Sequence, residues 1–521
     1  MCSSYIDRLS YAVKGLLPGL LWLLAGTFVQ AQDRIYQEAN RPQLHFTPRA
    51  HWMNDPNGLV YLNGRYHLFY QYYPKAIDWG PMHWGHAISK DLIHWQQQPI
   101  ALYPDRLGYI FSGSAVYDKN NTSGLGSKAH PPMIAIFTHH DPRKEKAGKT
   151  DVETQSIAYS LDEGKTWKKY AGNPVIANPG VRDFRDPKVF WYAPQHKWVM
   201  VVAASDRVRL YTSKNLTAWT EISQFGLGRG SHASVWECPD LFPLKAGKST
   251  KWVLTVSEGN GGPNKGSGIQ YFVGDFDGTA FVSKQTDTRW LEYGPDDYAG
   301  NSWNNTAGRR LYIGWMTNLM YAGQVPATTW RGQLTIPRKF ELVKLKGRYF
   351  LCQQPIAAFE KQIRKKIGGG KISGMQAGMV SLQYEDNGYP LKISIRQKHQ
   401  AASFELTFSS AAGDSLKLGF DRAKNGYYID RQGAGNMDFA HGMGRLIWAP
   451  KITAAPCSLN ILVDRNCIEV FADRGLSVMT ALFFPKTPFN QVRLSKPEDS
   501  ERKTAISMEA YLLRRIWANS K

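Results

Sequence analysis

The chain has only five cysteines in 521 residues, with no Cys-x-x-Cys pair and no His-Glu-x-x-His stretch. So sparse a set excludes a disulfide-built scaffold, and the missing ligand spacings leave no zinc site, and no metal, to expect. Cys457 and Cys467 border neighbouring strand-like runs and could form a single bridge. Long apolar runs are also missing, apart from GLLPGLLWLLAGTFV near the N-terminus. That run is short for a membrane span. With Arg8 and Lys14 before it and Ala31 behind it, it reads as a secretory signal peptide over residues 1–31. The mature chain is then expected to carry no membrane span and to be secreted or periplasmic. Unbroken basic runs are absent as well. The net charge is +21, from 64 Lys plus Arg against 43 Asp plus Glu, but the cations are scattered. The densest group, Lys361, Arg364, Lys365, Lys366 and Lys371, sits where two domains would join. Charge of this kind speaks to solubility rather than to a site, so nucleic acid is not an expected partner.

Aromatic residues are plentiful: 17 Trp, 26 Tyr and 23 Phe, beside 47 Gly and 28 Pro. This mixture suits short strands and tight turns and argues against a helical bundle. A loose repeat supports that reading. Ser89-Lys90-Asp91-Leu92 leads to Trp95, Ser160-Leu161-Asp162 to Trp167, Ser213-Lys214-Asn215-Leu216 to Trp219, and Asp275-Phe276-Asp277-Gly278 to Phe281. Strand-like runs precede each one, such as HLFYQYY and GHAIS, or WVMVVAA and VRLYTS. Units of several short strands ending in an Asx-type turn predict a β-propeller. A fifth unit around NSWNNTAGRRLYIGWMTN completes five blades over residues 40–345. Residues 346–370 are expected to form a linker, with a short helix near Ala357–Lys366 broken by Gly368-Gly369-Gly370. Alternating runs from 371 to 521, with turns such as Asp386-Asn387-Gly388, predict a β-sandwich. The fold class is thus all-β: a five-bladed β-propeller followed by a C-terminal β-sandwich.

Three motifs share a carboxylate close before a proline and a strand: Asn54-Asp55-Pro56, Arg185-Asp186-Pro187 and Glu237-Cys238-Pro239. Proline fixes φ and withholds a backbone donor, which suits a strand's first residue. If each motif opens a blade, its carboxylate reaches one end of the propeller axis. Converging carboxylates beside aromatic walls are what glycosidic cleavage requires, one attacking the anomeric carbon and another donating a proton. Repulsion among them keeps one protonated near neutral pH.

WMNDPNGL, QYYPKAIDWGPMHWGHAISKDLIHW, FSGSAV, FRDPKV, WECPDLF and TTWRGQLTIPR together resemble glycoside hydrolase family 32, the β-fructofuranosidases. DRNCIEVFAD is similar to the family's C-terminal sandwich. The resemblance implies a retaining mechanism with Asp55 as nucleophile, Glu237 as acid and then base, and Asp186 holding the fructose hydroxyls. It implies that Arg185 orients Asp186 and Glu237, and that Asn54, Gln71, Trp79, Phe111, Ser112 and Trp330 surround the fructose. Trp95, Trp167 and Trp219 read instead as blade core, and His83 and His86 as structural. No cofactor is implied. SEGNGGPNKGSGIQYFVGDFDG resembles the levanase and inulinase branch, so the implied activity is release of terminal fructose from levan or inulin and from sucrose. An endo-levanase, a dedicated invertase and a fructosyltransferase stay open. So do an inverting propeller glycosidase and a non-catalytic fructan-binding protein.

Overall fold

The computed structural model describes residues 35–385, 388–399, 401–440, 444–498 and 504–517. The leader at 1–31 and the turn residues Asp386 and Asn387 lie outside them. In the first unit, which ends at Arg41, the described residues 35–41 are mostly turns, with Arg41 paired to Glu38. The second unit, Pro42–Lys521, holds a propeller and a sandwich.

Five antiparallel sheets make the blades, and their innermost strands are His51–Leu62, Tyr109–Tyr117, Phe184–Tyr192, Trp236–Ala246 and Tyr298–Ser302. These strands neighbour one another in a ring around a common axis. The second strand of the second blade, Met133–His140, is buried along its whole length, because the blades on either side cover its two faces. Ile134, Ile136, Val189 and Met200, for example, meet between the second and third blades. The repeated turns close as the pattern predicts. Asp91 Oδ1 accepts the amides of Ile93 and His94, Asn215 Oδ1 those of Thr217 and Ala218, and Asp277 Oδ1 those of Thr279 and Ala280. The ring is closed by Trp330–Arg331, which pairs in parallel with His51–Trp52 of the first blade.

The region 346–370 differs from the expected linker. Arg348–Pro355 is the outer strand of the fifth blade, while Ala357–Gln362 is a short 3₁₀ helix inside the span where a short helix is expected. Gly368, Gly369 and Gly370 continue strand Ile363–Gly374 rather than breaking a helix. Side chains there would collide with the facing sheet: a Cβ on Gly368 would lie 2.7 Å from Leu382 and one on Gly370 2.5 Å from Val380. The glycines therefore let two sheet edges approach closely.

Two six-stranded sheets form the sandwich. Ile393, Ile461, Val470 and Met508 of one meet Leu406, Phe408, Leu418 and Val492 of the other. Alternate residues of the first sheet, Leu462, Phe471 and Val478, pack instead with Leu44, Phe46 and Leu334 of the propeller region. Arg338 crosses this junction fully buried, bonded to Glu469, Glu292, Asp297 and Thr480. The described cysteines are free and buried. Cys457 and Cys467 do not pair because the hairpin register, Leu459 opposite Ala472 and Val463 opposite Ile468, sets them at opposite ends of their strands.

Candidate active site

Every innermost strand carries a register shift at the same height. The shifts fall between Met53 and Pro56, Ile110 and Gly113, Arg185 and Lys188, Glu237 and Asp240, and Tyr298 and Asn301. A bulge leaves residues unpaired, bends the strand and re-aims side chains. Asp55, Phe111, Ser112, Asp186 and Cys238 occupy these shifts, and Asp186 and Cys238 have φ of 63° and 47°. The prolines thus sit three to five residues after the strands begin rather than at the first position, Pro187 and Pro239 within bulges and Pro56 at the edge of one. Their missing donor costs nothing where pairing is already interrupted.

The result is one cavity of about 570 Å³ at that end of the axis, lined by Asp55, Asp186 and Glu237. Cys238 ties the carboxylates together, its amide donating to Asp186 Oδ2 at 3.0 Å while its thiol lies 3.7 Å from Asp55 Oδ2. Asp55 also accepts from Ser112 Oγ (2.7 Å) and from Asn54 Nδ2 (3.1 Å), and Asn54 is held in turn by the Trp52 indole N–H at 2.8 Å. Arg185 donates to Glu237 Oε1 through Nε and Nη2, at 3.2 and 3.0 Å. Its Nη1 is shared between Glu153 and Asp183. The Tyr298 hydroxyl donates to Glu237 Oε2.

Burial raises the Asp55 carboxyl above its ordinary range, and the charge of Glu237 adds to it against the hydrogen bonds from Ser112 and Asn54. Asp186 is pushed up to about 8, by burial above all and then by Glu237 and Asp55, with the Arg185 guanidinium opposing. Burial and Glu237 hold the Tyr298 hydroxyl far up, so it remains a donor. Clustered carboxylates of this kind titrate as one group and retain a proton near neutral pH.

Of the residues read from the sequence, Asn54, Gln71, Trp79, Phe111, Ser112 and Arg185 line this cavity with the three carboxylates. Gln71 is buried, yet its Nε2 has no hydrogen-bond partner among the described residues, which leaves a donor free for a ligand hydroxyl. Trp79 stands at the mouth, 51% exposed, its ring edge-on to Phe111 at 6.2 Å. Trp330 is buried where the ring closes, its backbone paired in parallel with His51, one residue before Trp52 of the cavity lining.

Sequence reasoning missed Tyr298, Glu153 and His140, all of which line the cavity. His140 stacks on Phe111 at 4.3 Å and bonds Glu153 and Glu145, so it carries the chain of charges from Glu237 to the rim. The one available signal was position: Tyr298 stands just before the bulge of its innermost strand, as Glu237 does in its own.

A five-bladed propeller whose axis ends in three carboxylates at the base of a sugar-sized cavity defines a glycosidase. Comparisons with known proteins make the class specific. The family model of the glycosyl hydrolases family 32 N-terminal domain matches residues 45–355, and that of the family 32 C-terminal region matches 360–511. The chain is 44% identical to a levanase of Bacillus subtilis over 517 residues, covering 96% of this chain and 74% of the relative. It is 38% identical to an extracellular exo-inulinase of Aspergillus ficuum over 495 residues, covering 88% and 92%. The crystal structure of exo-inulinase from Aspergillus awamori superimposes with a TM-score of 0.84 at 36% identity, covering 92% of this chain and all of that one. The chain belongs to glycosyl hydrolase family 32.

Proposed function

We propose that this glycosidase releases terminal β-D-fructofuranose from fructans and sucrose with net retention. Asp55 attacks the anomeric carbon. The bond to the leaving oxygen breaks as that oxygen takes a proton from Glu237, giving a fructosyl ester on Asp55. Water then adds to the same carbon, returning its proton to Glu237 and freeing Asp55. Asp186 receives the fructose hydroxyls through bonds that strengthen as positive charge develops on the ring. Gln71 and Asn54 fix other hydroxyls, and Trp79 and Phe111 wall the ring. The observation that carries this reading is the meeting of Asp55, Asp186 and Glu237 in one cavity beside an unpartnered amide donor on Gln71. Terminal release rather than internal cleavage is supported by the likeness to an exo-inulinase. Export is supported by the leader-like N-terminus and by the extracellular name of that relative. Among the described residues, no helix is long and apolar enough to cross a membrane.

The test is incubation with sucrose, inulin and levan separately, with products resolved by size and by proton NMR. Fructose alone, appearing first as the β-furanose, is expected, and Asp55→Ala is expected to abolish it. Oligomeric products refute terminal release, inverted first product refutes retention, and near-normal turnover in Asp55→Ala refutes the assigned nucleophile.

A further inference from the structure

One face of the sandwich is covered by neither its partner sheet nor the propeller, and its composition is unusual for a bare sheet. Across this face the register places Met379, Ser495, Glu405, Gly419, Tyr428 and Trp448 side by side on six successive strands. Their neighbours along the strands, such as Leu406, Leu418 and Tyr427, point into the sandwich core, so this row points outward. Two glycines make room for rings to lie on the sheet. A Cβ on Gly419 would sit 2.9 Å from Cε1 of Tyr428, and one on Gly426 3.4 Å from Cε3 of Trp448. The two rings stand 5.4 Å apart at 45°, and the Tyr428 hydroxyl donates to Glu405 at 3.0 Å. A groove of about 420 Å³ runs beside them, lined also by Asp421, Lys424 and the half-exposed Leu446.

We propose that this face is a second carbohydrate site, a platform that holds a fructan chain while the propeller cleaves its end. The inference rests on the fructan reading of the catalytic cavity. Outward-facing rings edged by carboxylate and ammonium groups match a sugar chain, whose C–H faces stack while its hydroxyls take hydrogen bonds. An apolar protein partner would leave Glu405, Asp421 and Lys424 buried without compensation. Lys424 Nζ lies 4.1 Å from the Trp448 ring centroid, an exposed cation that a stacking sugar can displace. The platform is also joined to the catalytic rim. Asn264 clasps both the N–H and the C=O of Trp448, at 3.0 and 2.9 Å. Gly259, at the start of the same loop, lies close enough that a Cβ on it would sit 3.0 Å from Leu319 of the catalytic cavity.

The test is native gel electrophoresis through levan, inulin or dextran, using Glu237→Gln protein so that the polymer survives. Retardation by a fructan but not by dextran is expected, and Trp448→Ala should weaken it roughly tenfold. Leu446→Asp, a change on the exposed edge that leaves packing intact, should weaken it too, so a misfolded Trp448 variant would not decide the matter. In enzyme with Glu237 restored, both variants should raise KM for the polymer and leave sucrose turnover within twofold. Unchanged retardation, equal retardation by dextran, or a dimer in sedimentation that Leu446→Asp dissociates would overturn the platform. Absence of any sucrose or fructan hydrolysis by the unmodified enzyme would instead overturn the catalytic reading.

Discussion

Replacing Arg185 by lysine removes a planar fork while keeping one positive charge, so it separates aim from electrostatics. In the structure Nε and Nη2 both reach Glu237 Oε1, while Nη1 is engaged by Asp183 at 2.7 Å and by Glu153. A lysine ammonium can serve Glu237 or the Glu153–Asp183 pair, not both. Glu237 therefore loses about one charge-assisted hydrogen bond, about 2–3 kcal/mol in a largely buried setting. The Arg185 and Glu237 side chains are 14% and 20% exposed, so water replaces little of that loss. If the bond aims Glu237 at the leaving oxygen, the loss falls on the transition state and kcat drops roughly 30- to 150-fold with KM nearly unchanged. Initial rates on sucrose over a range of concentrations and pH measure this directly. A kcat within threefold of the parent enzyme, or a loss confined to KM, would show that Arg185 does not position the acid. Arg185→Met extends the test. It removes the charge that opposes the rise of Asp186, so the limb of the pH profile reporting ionisation of the cluster should move to higher pH.

Two stability effects follow from the buried charges. Asp186 rises to about 8 on folding, so the folded state holds its proton more tightly than the unfolded chain does, and stability falls as pH rises from the ordinary carboxylate range toward 8. Asp186→Asn should therefore melt above the parent by a margin that widens from pH 5 to pH 8, while activity falls on the order of a thousandfold; a margin independent of pH would reject the linkage. His45 lies between Asp464 and Glu469 of the sandwich, at 2.9 Å from each. Burial pulls its pKa down, but its neighbours outweigh that and hold it well above the ordinary value. The Cys467 thiol is itself pushed up to about 11 and is uncharged at neutral pH, so the two carboxylates are the cause. Its contribution is fully present below about pH 6.5 and is lost as pH rises through the raised value. His45→Gln should cost about 3–5 kcal/mol at low pH and progressively less in alkali. Thermal melts at which the gap stays constant across pH would sink that account.

The legibility of the site differed from residue to residue for physical reasons. Asp55, Asp186 and Glu237 announced themselves because a proline close behind a carboxylate is uncommon in a strand and recurred in step with the blades. Trp79 and Trp330 carried the same local signal, an aromatic in a distinctive motif. Trp79 stands at the mouth, while the place of Trp330 depends on which strand the last segment meets, here the innermost strand of the first blade. Tyr298 offered only its position, since Tyr-Ala-Gly-Asn-Ser resembles any short buried strand until the fifth blade brings it against Glu237. The glycine run at 368–370 misled in the other direction, its purpose being the room it leaves for Leu382 and Val380 of another sheet.

Local chemistry in the chain was enough to determine strands, Asx turns and three carboxylates each close before a proline, because each depends on residues a few positions apart, and the spacing of those turns set the blade number. The tertiary structure decided how those acids meet. Bulges at one height in all five innermost strands turn Asp55, Asp186 and the start of Glu237's strand toward a common point. A bulge is defined by pairing with a neighbouring strand, and the convergence of five of them is a property of the closed ring. The same holds for the sandwich face, where Tyr428 and Trp448 are twenty residues apart in the chain and become neighbours only through sheet register.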